Sequence, residues 1–204
     1  MEFSRVDCPS ILPVVTGALR DCEEVVHAFF GQPVNSLTAL AFIVGGVVII
    51  RLTDFGWVGI ASVATGVGSF LFHGPMPTHS EWIHDLTLAW LLLLVAAQGR
   101  SWERWARVPG LVILAALIAV PGVGDPVGAF LAALAISLSL MRDRSMATIG
   151  PLALLVVVAV VGRLGATGGP LCDPASIWQP HALWHLGAAA AVTWWALGTG
   201  TEVA

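Results

Sequence analysis

The sequence predicts an all-α integral membrane protein, a seven-transmembrane helix bundle. Of its 204 residues, 57% are hydrophobic and only 11% are charged, whereas a soluble domain carries about 25% charged residues. Long apolar runs recur along the chain and are separated by arginine, proline and glycine, as in a chain that crosses a bilayer repeatedly. The net charge of −4 favours no nucleic-acid partner. The chain contains no lysine, which excludes a retinal protein, because that chromophore needs a lysine Schiff base.

The hydropathy pattern divides the chain into an N-terminal interfacial segment (residues 1–34), the bundle (35–198) and a C-terminal tail (199–204). We expect no cleavable signal peptide, because the first residues lack a basic n-region. Two prolines and two glycines between Pro121 and Pro126 predict a turn that separates the fourth helix from the fifth. The predicted helices are Asn35–Ile50, Phe55–His73, Ile83–Gln98, Val108–Val120, Pro126–Met141, Met146–Val161 and His181–Leu197.

The number of helices decides which polar residues can meet. With seven spans, the end of the second helix at His73, the start of the third near Asp85 and the start of the seventh at His181 all lie on the membrane face that holds the N-terminus. With six spans, His181 and His185 would lie on the opposite face. The positions of these residues therefore favour seven spans independently of hydropathy.

Arginine bias in short loops predicts the orientation of the bundle, because cytoplasmic loops are enriched in basic residues. The face that holds the N-terminus carries three arginines and the opposite face carries six. We therefore expect a plasma-membrane or inner-membrane protein with its N-terminus outside and its C-terminus in the cytoplasm. The three are Arg5, Arg20 and Arg163, and the six are Arg51, Arg100, Arg104, Arg107, Arg142 and Arg144.

All three cysteines, Cys8, Cys22 and Cys172, fall on the N-terminal face. An oxidising compartment would permit one disulfide there, and Cys22–Cys172 is the preferred pairing. Three small buried thiols are the alternative. Near the same face, Asn35, Ser36 and Thr38 are expected to cap the first helix.

Histidine and serine residues at the ends of apolar runs indicate a site, because ionisable groups are costly there. Ser69 and His73 are one helical turn apart, and so are His181 and His185, so each pair shares a helix face. Three imidazoles with one open position are the ligand set of a catalytic zinc site. Histidines that only pack in the core are the alternative.

A zinc site of this kind predicts hydrolysis, because the metal lowers the pKa of a bound water to about 7 and polarises a carbonyl oxygen. Asp85 is the expected base and Ser69 the expected hydrogen-bond partner of the water or the oxyanion. His84 and Asp85 are neighbours, and on a helix only one of them should face the site. We choose Asp85 because three imidazoles are already present.

These residues resemble the serine, aspartate and three-histidine signature of the CREST superfamily of seven-helix membrane hydrolases. The segments Asp21–Glu24 and Gln32–Asn35 look nearest the alkaline ceramidase branch, which is related to adiponectin-receptor-like proteins. The resemblance implies zinc on His73, His181 and His185. It also implies that a lipid substrate with a ceramide-like acyl amide is hydrolysed with the help of Ser69 and Asp85.

The ceramidase branch also has a calcium site in its acidic N-terminal segment, and Asp21 and Glu23 are the candidate calcium ligands here. Val25 and Gln32 stand where the family tends to have acidic or oxygen-rich residues, which weakens the case for calcium. The superfamily also includes ester hydrolases, so the substrate class stays open between amide and ester.

Two classes of protein compete with a hydrolase. A receptor or sensor on the same scaffold would bind a lipid without turnover. A haem or proton-transfer protein would use the same histidines. Haem needs axial ligands on opposite ring faces, which two histidines one turn apart cannot supply, and mid-helix positions are nearly all apolar, unlike those of a proton-coupled transporter. The sequence indicates no oligomeric state.

Overall fold

A computed structural model gives the structure of the protein and describes residues 20–200. The first nineteen residues of the expected interfacial segment, with Cys8, and residues 201–204 of the expected tail lie outside the described range. Residues 20–200 contain eight helices and no strand. The helices are α1 (Pro33–Leu52), α2 (Gly56–His73), α3 (Ser80–Ala97), α4 (Glu103–Ala106), α5 (Val108–Ile118), α6 (Gly124–Arg142), α7 (Met146–Leu164) and α8 (Pro180–Thr199).

Seven of these helices coincide with the predicted ones, and α4 is an additional single turn. Five of them, α1, α2, α3, α6 and α7, are long and apolar enough to cross a membrane. Helix α5 has 11 residues, or about 16 Å at 1.5 Å per residue, which is shorter than the hydrocarbon core of a bilayer. Helix α8 has 20 residues, but its histidines and tryptophans lower its hydropathy.

The predicted break between the fourth and fifth apolar runs is present. Helix α5 ends at Ile118 and α6 begins at Gly124, and Gly122 in the connecting turn has a φ of 78°, which favours glycine. Pro126 lies in the first turn of α6, where backbone N–H groups have no acceptor inside the helix. The break divides this part of the chain into two helices, and the start of α8 lies at the end of the bundle that holds His73.

The outer faces of the helices are apolar and exposed. Val44 on α1 is 65% exposed, Ile113 on α5 is 67% exposed and Phe130 on α6 is 66% exposed. Water-soluble monomers rarely expose apolar patches of such extent, whereas hydrocarbon solvates them without cost. The exposure pattern therefore agrees with the five membrane-length helices in indicating insertion into a membrane.

Helix α1 lies between α2 and α8 and packs along both. Small residues allow the close approach to α2: a Cβ added to Gly46 would lie 2.6 Å from the carbonyl oxygen of Gly59, and one added to Gly66 would lie 2.9 Å from the backbone nitrogen of Ile43. Such contacts are typical of helix pairs in membranes, where backbone proximity replaces hydrophobic driving force. As a result, the end of α2 and the start of α8 both reach the N-terminus of α1.

We expect Gly46→Ala to lower the melting temperature in detergent, since its methyl group would push α1 away from α2. Overpacking of this kind costs about 1–3 kcal/mol. The matched control is Gly128→Ala on α6, where an added Cβ meets no atom within 4 Å and helix propensity improves. Equal melting temperatures for the two variants, measured by differential scanning fluorimetry, would contradict the close packing of α1 on α2.

Candidate metal centre

Three histidines converge at the end of the bundle where α1 begins. His73 is the last residue of α2, and His181 and His185 occupy the first two turns of α8. The ring centroids lie 4.9 Å (His73–His181), 5.1 Å (His73–His185) and 4.6 Å (His181–His185) apart. One nitrogen from each ring lies within 4.8 Å of the other two. The three rings predicted as ligands are therefore close enough to bind one metal ion.

The Nδ1 atom of His73 contacts the side-chain oxygen Oε1 of Gln32 at 2.6 Å. The amide orientation of Gln32 follows from its other end, because Nε2 donates to the carbonyl oxygen of Glu23 at 2.8 Å. Oε1 can therefore only accept, and Nδ1 of His73 carries the proton. The lone pair of this neutral imidazole is then on Nε2.

His185 is held in the same tautomer by α1. Its Nδ1 lies 3.1 Å from the carbonyl oxygen of Asn35 and 3.3 Å from the hydroxyl of Thr38. That hydroxyl donates to the carbonyl oxygen of Val34 at 2.8 Å, and a carbonyl oxygen accepts only. The Nδ1 atom of His185 must donate, which again leaves the lone pair on Nε2.

His181 is paired with a carboxylate from the segment before α1. Its Nδ1 lies 3.2 Å from Oδ1 of Asp21, and Nδ1 of His73 lies 4.0 Å from Oδ2 of the same side chain. Burial raises the pKa of Asp21 above its usual value, and the charges of nearby groups, first His181, oppose that shift. Asp21 was expected only as a candidate calcium ligand, and the structure places it beside His181.

The Nε2 atoms of His73, His181 and His185 are all buried, and none has a hydrogen-bond partner. A buried polar atom without a partner costs about 1–3 kcal/mol, and three of them in one place call for a shared ligand. The donor set fits a metal ion, because the three Nε2 atoms are free to present lone pairs and each Nδ1 faces an acceptor, as is usual for metal-binding histidine. Imidazole ligands suit zinc, copper, iron and nickel.

Ser69 and the His84–Asp85 pair flank the three histidines. Ser69 is 1% exposed and lies on α2 one turn before His73. The ring of His84 lies 6.1 Å from that of His73, and its Nδ1 is 2.9 Å from Oδ1 of Asp85. We expected Asp85 to face the site in place of His84. In the structure the two side chains contact each other, and the ring of His84 lies near the cluster.

Glu23, the other candidate calcium ligand, caps α1. Its carboxylate accepts hydrogen bonds from the backbone N–H groups of Val34 at 2.7 Å and Asn35 at 2.8 Å. Burial raises the pKa of Glu23, and these two hydrogen bonds oppose the shift. Among residues 20–200, the group of side chains close enough to hold a metal ion is the histidine cluster, and it includes neither Glu23 nor Asp21.

The expectation that hydroxyl and amide side chains cap α1 is wrong. Ser36 donates to the carbonyl oxygen of Gln32 at 2.6 Å and Thr38 donates to that of Val34. Both hydroxyls point one turn back and satisfy carbonyl groups, while Glu23 from outside the helix satisfies the free N–H groups. The side-chain amide of Asn35 is fully buried and caps nothing.

A disulfide joins Cys22 to Cys172 in the loop between α7 and α8, with Cα atoms 5.5 Å apart. This is the pairing preferred from the sequence. Thr167 in the same loop bonds the two residues that flank Asp21. Its N–H donates to the carbonyl oxygen of Arg20 at 2.9 Å, and its hydroxyl accepts from the N–H of Cys22 at 3.1 Å. The segment that carries Asp21 and Glu23 is thus attached to the loop that leads into α8.

An apolar cavity of about 490 Å³ opens beside the site. His84 and Asp85 lie on its wall, and Phe42, whose ring is 6.3 Å from that of His185, lines it too. A second, more polar cavity of about 680 Å³ shares Asp85 and Gly124 with the first. Aliphatic side chains form most of the first cavity, among them Leu88, Leu91, Leu92, Ile136, Leu155 and Val192.

Sequence reasoning missed three functional contacts at this centre, those of Gln32, Asp21 and His84. Gln32 and Asp21 come from the irregular segment before α1, so no helical spacing relates them to the histidines they contact. The one available signal was that this segment is rich in hydrogen-bond acceptors and was predicted to lie on the same membrane face as the histidines. His84 was not chosen because three imidazoles already made up a ligand set. That criterion does not consider residues that act near a metal without binding it.

Comparison of the chain with protein-family models, with curated proteins and with solved structures finds no match. The resemblance to a known superfamily therefore rests on the motif residues alone.

We expect Gln32→Leu to weaken binding of a divalent metal by about 10–100-fold, the usual effect of removing the hydrogen-bond partner of a ligating histidine. Gln32→Glu keeps an acceptor for His73 and should bind the metal more tightly than Gln32→Leu. Gln98→Leu, at the opposite end of the bundle, is the control. Competition with a chromophoric chelator measures the affinities, and an unchanged affinity in Gln32→Leu would contradict this role.

Proposed function

We propose that the protein is a zinc-dependent intramembrane lipid hydrolase that cleaves an acyl amide. The observation that carries the proposal is the cluster of three histidines, close enough to bind one ion and with buried, unpartnered Nε2 atoms, next to an apolar cavity in a chain with five membrane-length helices. The match of Ser69, His73, Asp85, His181 and His185 to the CREST signature supports it. Membership of that superfamily, nearest the alkaline ceramidases, is part of the proposal.

Zinc fits the donor set because three neutral imidazoles leave a fourth tetrahedral position open, which is the arrangement of catalytic zinc. His73, His181 and His185 would hold the ion. When bound, zinc supplies a water with a pKa near 7 and a Lewis acid for the substrate carbonyl. Among residues 20–200, the group of ligating side chains contains no carboxylate, which disfavours magnesium or calcium there.

Asp85 serves as the base in the proposed reaction. It takes a proton as the water oxygen bonds to the acyl carbon, and it returns that proton to the nitrogen when the carbon–nitrogen bond breaks. The products are a fatty acid and an amine. His84 lies 2.9 Å from Asp85 and 6.1 Å, ring to ring, from His73, so its ring can relay the proton between Asp85 and the reacting groups. Ser69 donates a hydrogen bond to the carbonyl oxygen as negative charge develops on it.

The apolar cavity beside the centre supports a lipid as the substrate. Its lining is mostly aliphatic and lies between α3, α6, α7 and α8, with His84 and Asp85 on its wall. An acyl chain can fill this space while the amide lies at the histidines. The neighbouring polar cavity, which contains Arg20, Glu81 and Asp125, offers hydrogen-bonding groups for the lipid head.

We also propose that seven helices, α1 to α3 and α5 to α8, span the membrane, with the metal centre near the extracytoplasmic face. The arginine bias supports this orientation. The Cys22–Cys172 disulfide, which lies at the same end of the bundle as the centre, supports it too, because disulfides persist in oxidising compartments. Helix α5 alone is too short to span the membrane, and the helical turn of α4 directly before it would lengthen this segment.

We expect purified protein to contain about one zinc per chain and to release a fatty acid from a ceramide-like amide. His181→Ala should lose both properties, because two imidazoles cannot complete the site. His27→Ala is the matched control, since His27 is exposed in the segment before α1. Elemental analysis measures the zinc, and mass spectrometry of extracted lipids measures the product.

The outcomes of that experiment separate the rival functions. Fatty acid released from an ester but from no amide would replace the amide hydrolase by an ester hydrolase. A lipid that binds without any release of fatty acid would indicate a receptor or sensor. Full activity in metal-free protein would reject the mechanism.

We expect Asp85→Asn to lower kcat by about 10²–10⁴-fold, the usual contribution of a general base, while zinc content stays at the wild-type level. The amide keeps the size of the carboxylate but cannot take up the proton. Steady-state kinetics and elemental analysis on the same preparation check both halves. Loss of zinc from Asp85→Asn would contradict a role confined to proton transfer.

A further inference from the structure

The carboxylate of Asp21 has no place in the reaction described above, although it touches the metal centre. Its Oδ1 lies 3.2 Å from Nδ1 of His181, on the ring edge opposite the unpartnered Nε2. Its side chain is 17% exposed, so solvent competes little for the bond. A carboxylate in this position fixes the tautomer and direction of the ring and raises the basicity of the ligating nitrogen.

The backbone around Asp21 is held by the loop between α7 and α8. Thr167 bonds the residue before Asp21 and the residue after it, and Cys22 is joined covalently to Cys172. The N–H of Glu24 donates to the carbonyl oxygen of Pro174 in the same loop at 3.3 Å. Asp21 therefore lies between attachment points on both sides.

Cys22 itself adopts a φ of 67°, in the left-handed region that non-glycine residues rarely occupy. A residue stays in such a conformation only where its surroundings hold it there, and it costs on the order of 1–3 kcal/mol. The bond to Thr167 and the disulfide are the contacts that hold it. The turn at Cys22 directs the segment so that Asp21 faces His181 and Glu23 faces α1.

We infer that Asp21 is the positioning residue of the metal centre and that the Cys22–Cys172 disulfide sets the metal affinity by holding Asp21 against His181. The inference rests on the metal-binding part of the proposed function and goes beyond it. It makes an oxidised disulfide a condition for tight metal binding, although neither sulfur is a metal ligand. A protein of this design retains its metal in an oxidising compartment and loses it more readily in a reducing one.

Substitutions of Asp21 test the first half of the inference. We expect Asp21→Ala to bind zinc about 10–100-fold more weakly than wild type, and Asp21→Asn to lie between the two, because its amide oxygen still accepts but carries no charge. The visible spectrum of the Co²⁺-substituted protein should change, which a purely structural role would not cause. Glu103→Gln at the opposite end of the bundle is the control, since that carboxylate pairs with Arg107.

A double-mutant cycle tests the role of the disulfide. Replacing both Cys22 and Cys172 by serine should weaken zinc binding in the same direction as Asp21→Ala, and adding Asp21→Ala to the pair should cause little further loss, because both changes remove one contact. If the serine pair does not fold, reduction of zinc-loaded wild-type protein with a phosphine is the second route. Zinc should then dissociate faster, and Asp21→Ala should abolish that acceleration.

Three results would overturn the inference. In the first, Asp21→Ala binds zinc within about twofold of wild type while His181→Ala has lost it. In the second, the effects of Asp21→Ala and of disulfide loss add in full. In the third, His181→Ala retains zinc, which would overturn the proposed function as well. Zinc affinity that depends on Asp21 in a protein without hydrolytic activity would support the inference and reject only the proposed function.

Discussion

The structure depends on one constraint, the direction of three imidazole rings. Each Nδ1 faces an acceptor outside the cluster: His73 is hydrogen-bonded to the Gln32 amide and His185 to a carbonyl oxygen of α1, and His181 lies 3.2 Å from the Asp21 carboxylate. These contacts leave the three buried Nε2 atoms without hydrogen-bond partners, in a group of rings close enough to bind one metal ion. The rings are therefore oriented before any metal binds, and a bound ion would compensate the unpartnered nitrogens.

The three acceptors come from separate parts of the chain, so the metal centre and the end of the bundle form one unit. The contact of α1 with α2 through Gly46 and Gly59 brings the Gln32 amide to His73. The loop before α8 holds Asp21 through the disulfide. Glu23 links these elements, because its carboxylate caps α1 while its backbone carbonyl oxygen orients the side chain of Gln32. Loosening any of these elements would disturb the direction of a ring.

Much of the helical framework follows from hydropathy and punctuation. Helices α1 to α3 and α5 to α8 lie where apolar runs predicted them, and the prolines and glycines between residues 121 and 126 marked a true break. The histidine cluster was predictable because one-turn spacing places His181 and His185 on the same helix face, and because the break between α5 and α6 brings the start of α8 to the end of the bundle that holds His73. The Cys22–Cys172 disulfide was chosen from the few pairings that three cysteines allow.

The remainder depends on tertiary contacts that no local pattern encodes. The partners of the imidazoles lie in an irregular segment, whose path is set by the disulfide and by the left-handed turn at Cys22. The pairing of His84 with Asp85 is a matter of rotamers, which helical phase alone does not decide. The cap of α1 came from Glu23 outside the helix, although hydroxyl residues at the helix start are the usual signal. Helix α4 is a single turn, too short to show a period.

X-ray absorption at the zinc edge of the purified, oxidised protein tests the central claim most directly. We expect a first shell of three imidazole nitrogens at about 2.0–2.1 Å, completed by one oxygen at a similar distance. The outer-shell scattering that imidazole rings produce should be present. A shell that contains sulfur at about 2.3 Å, or a protein that binds no zinc when all three histidines are intact, would contradict a metal centre built by His73, His181 and His185.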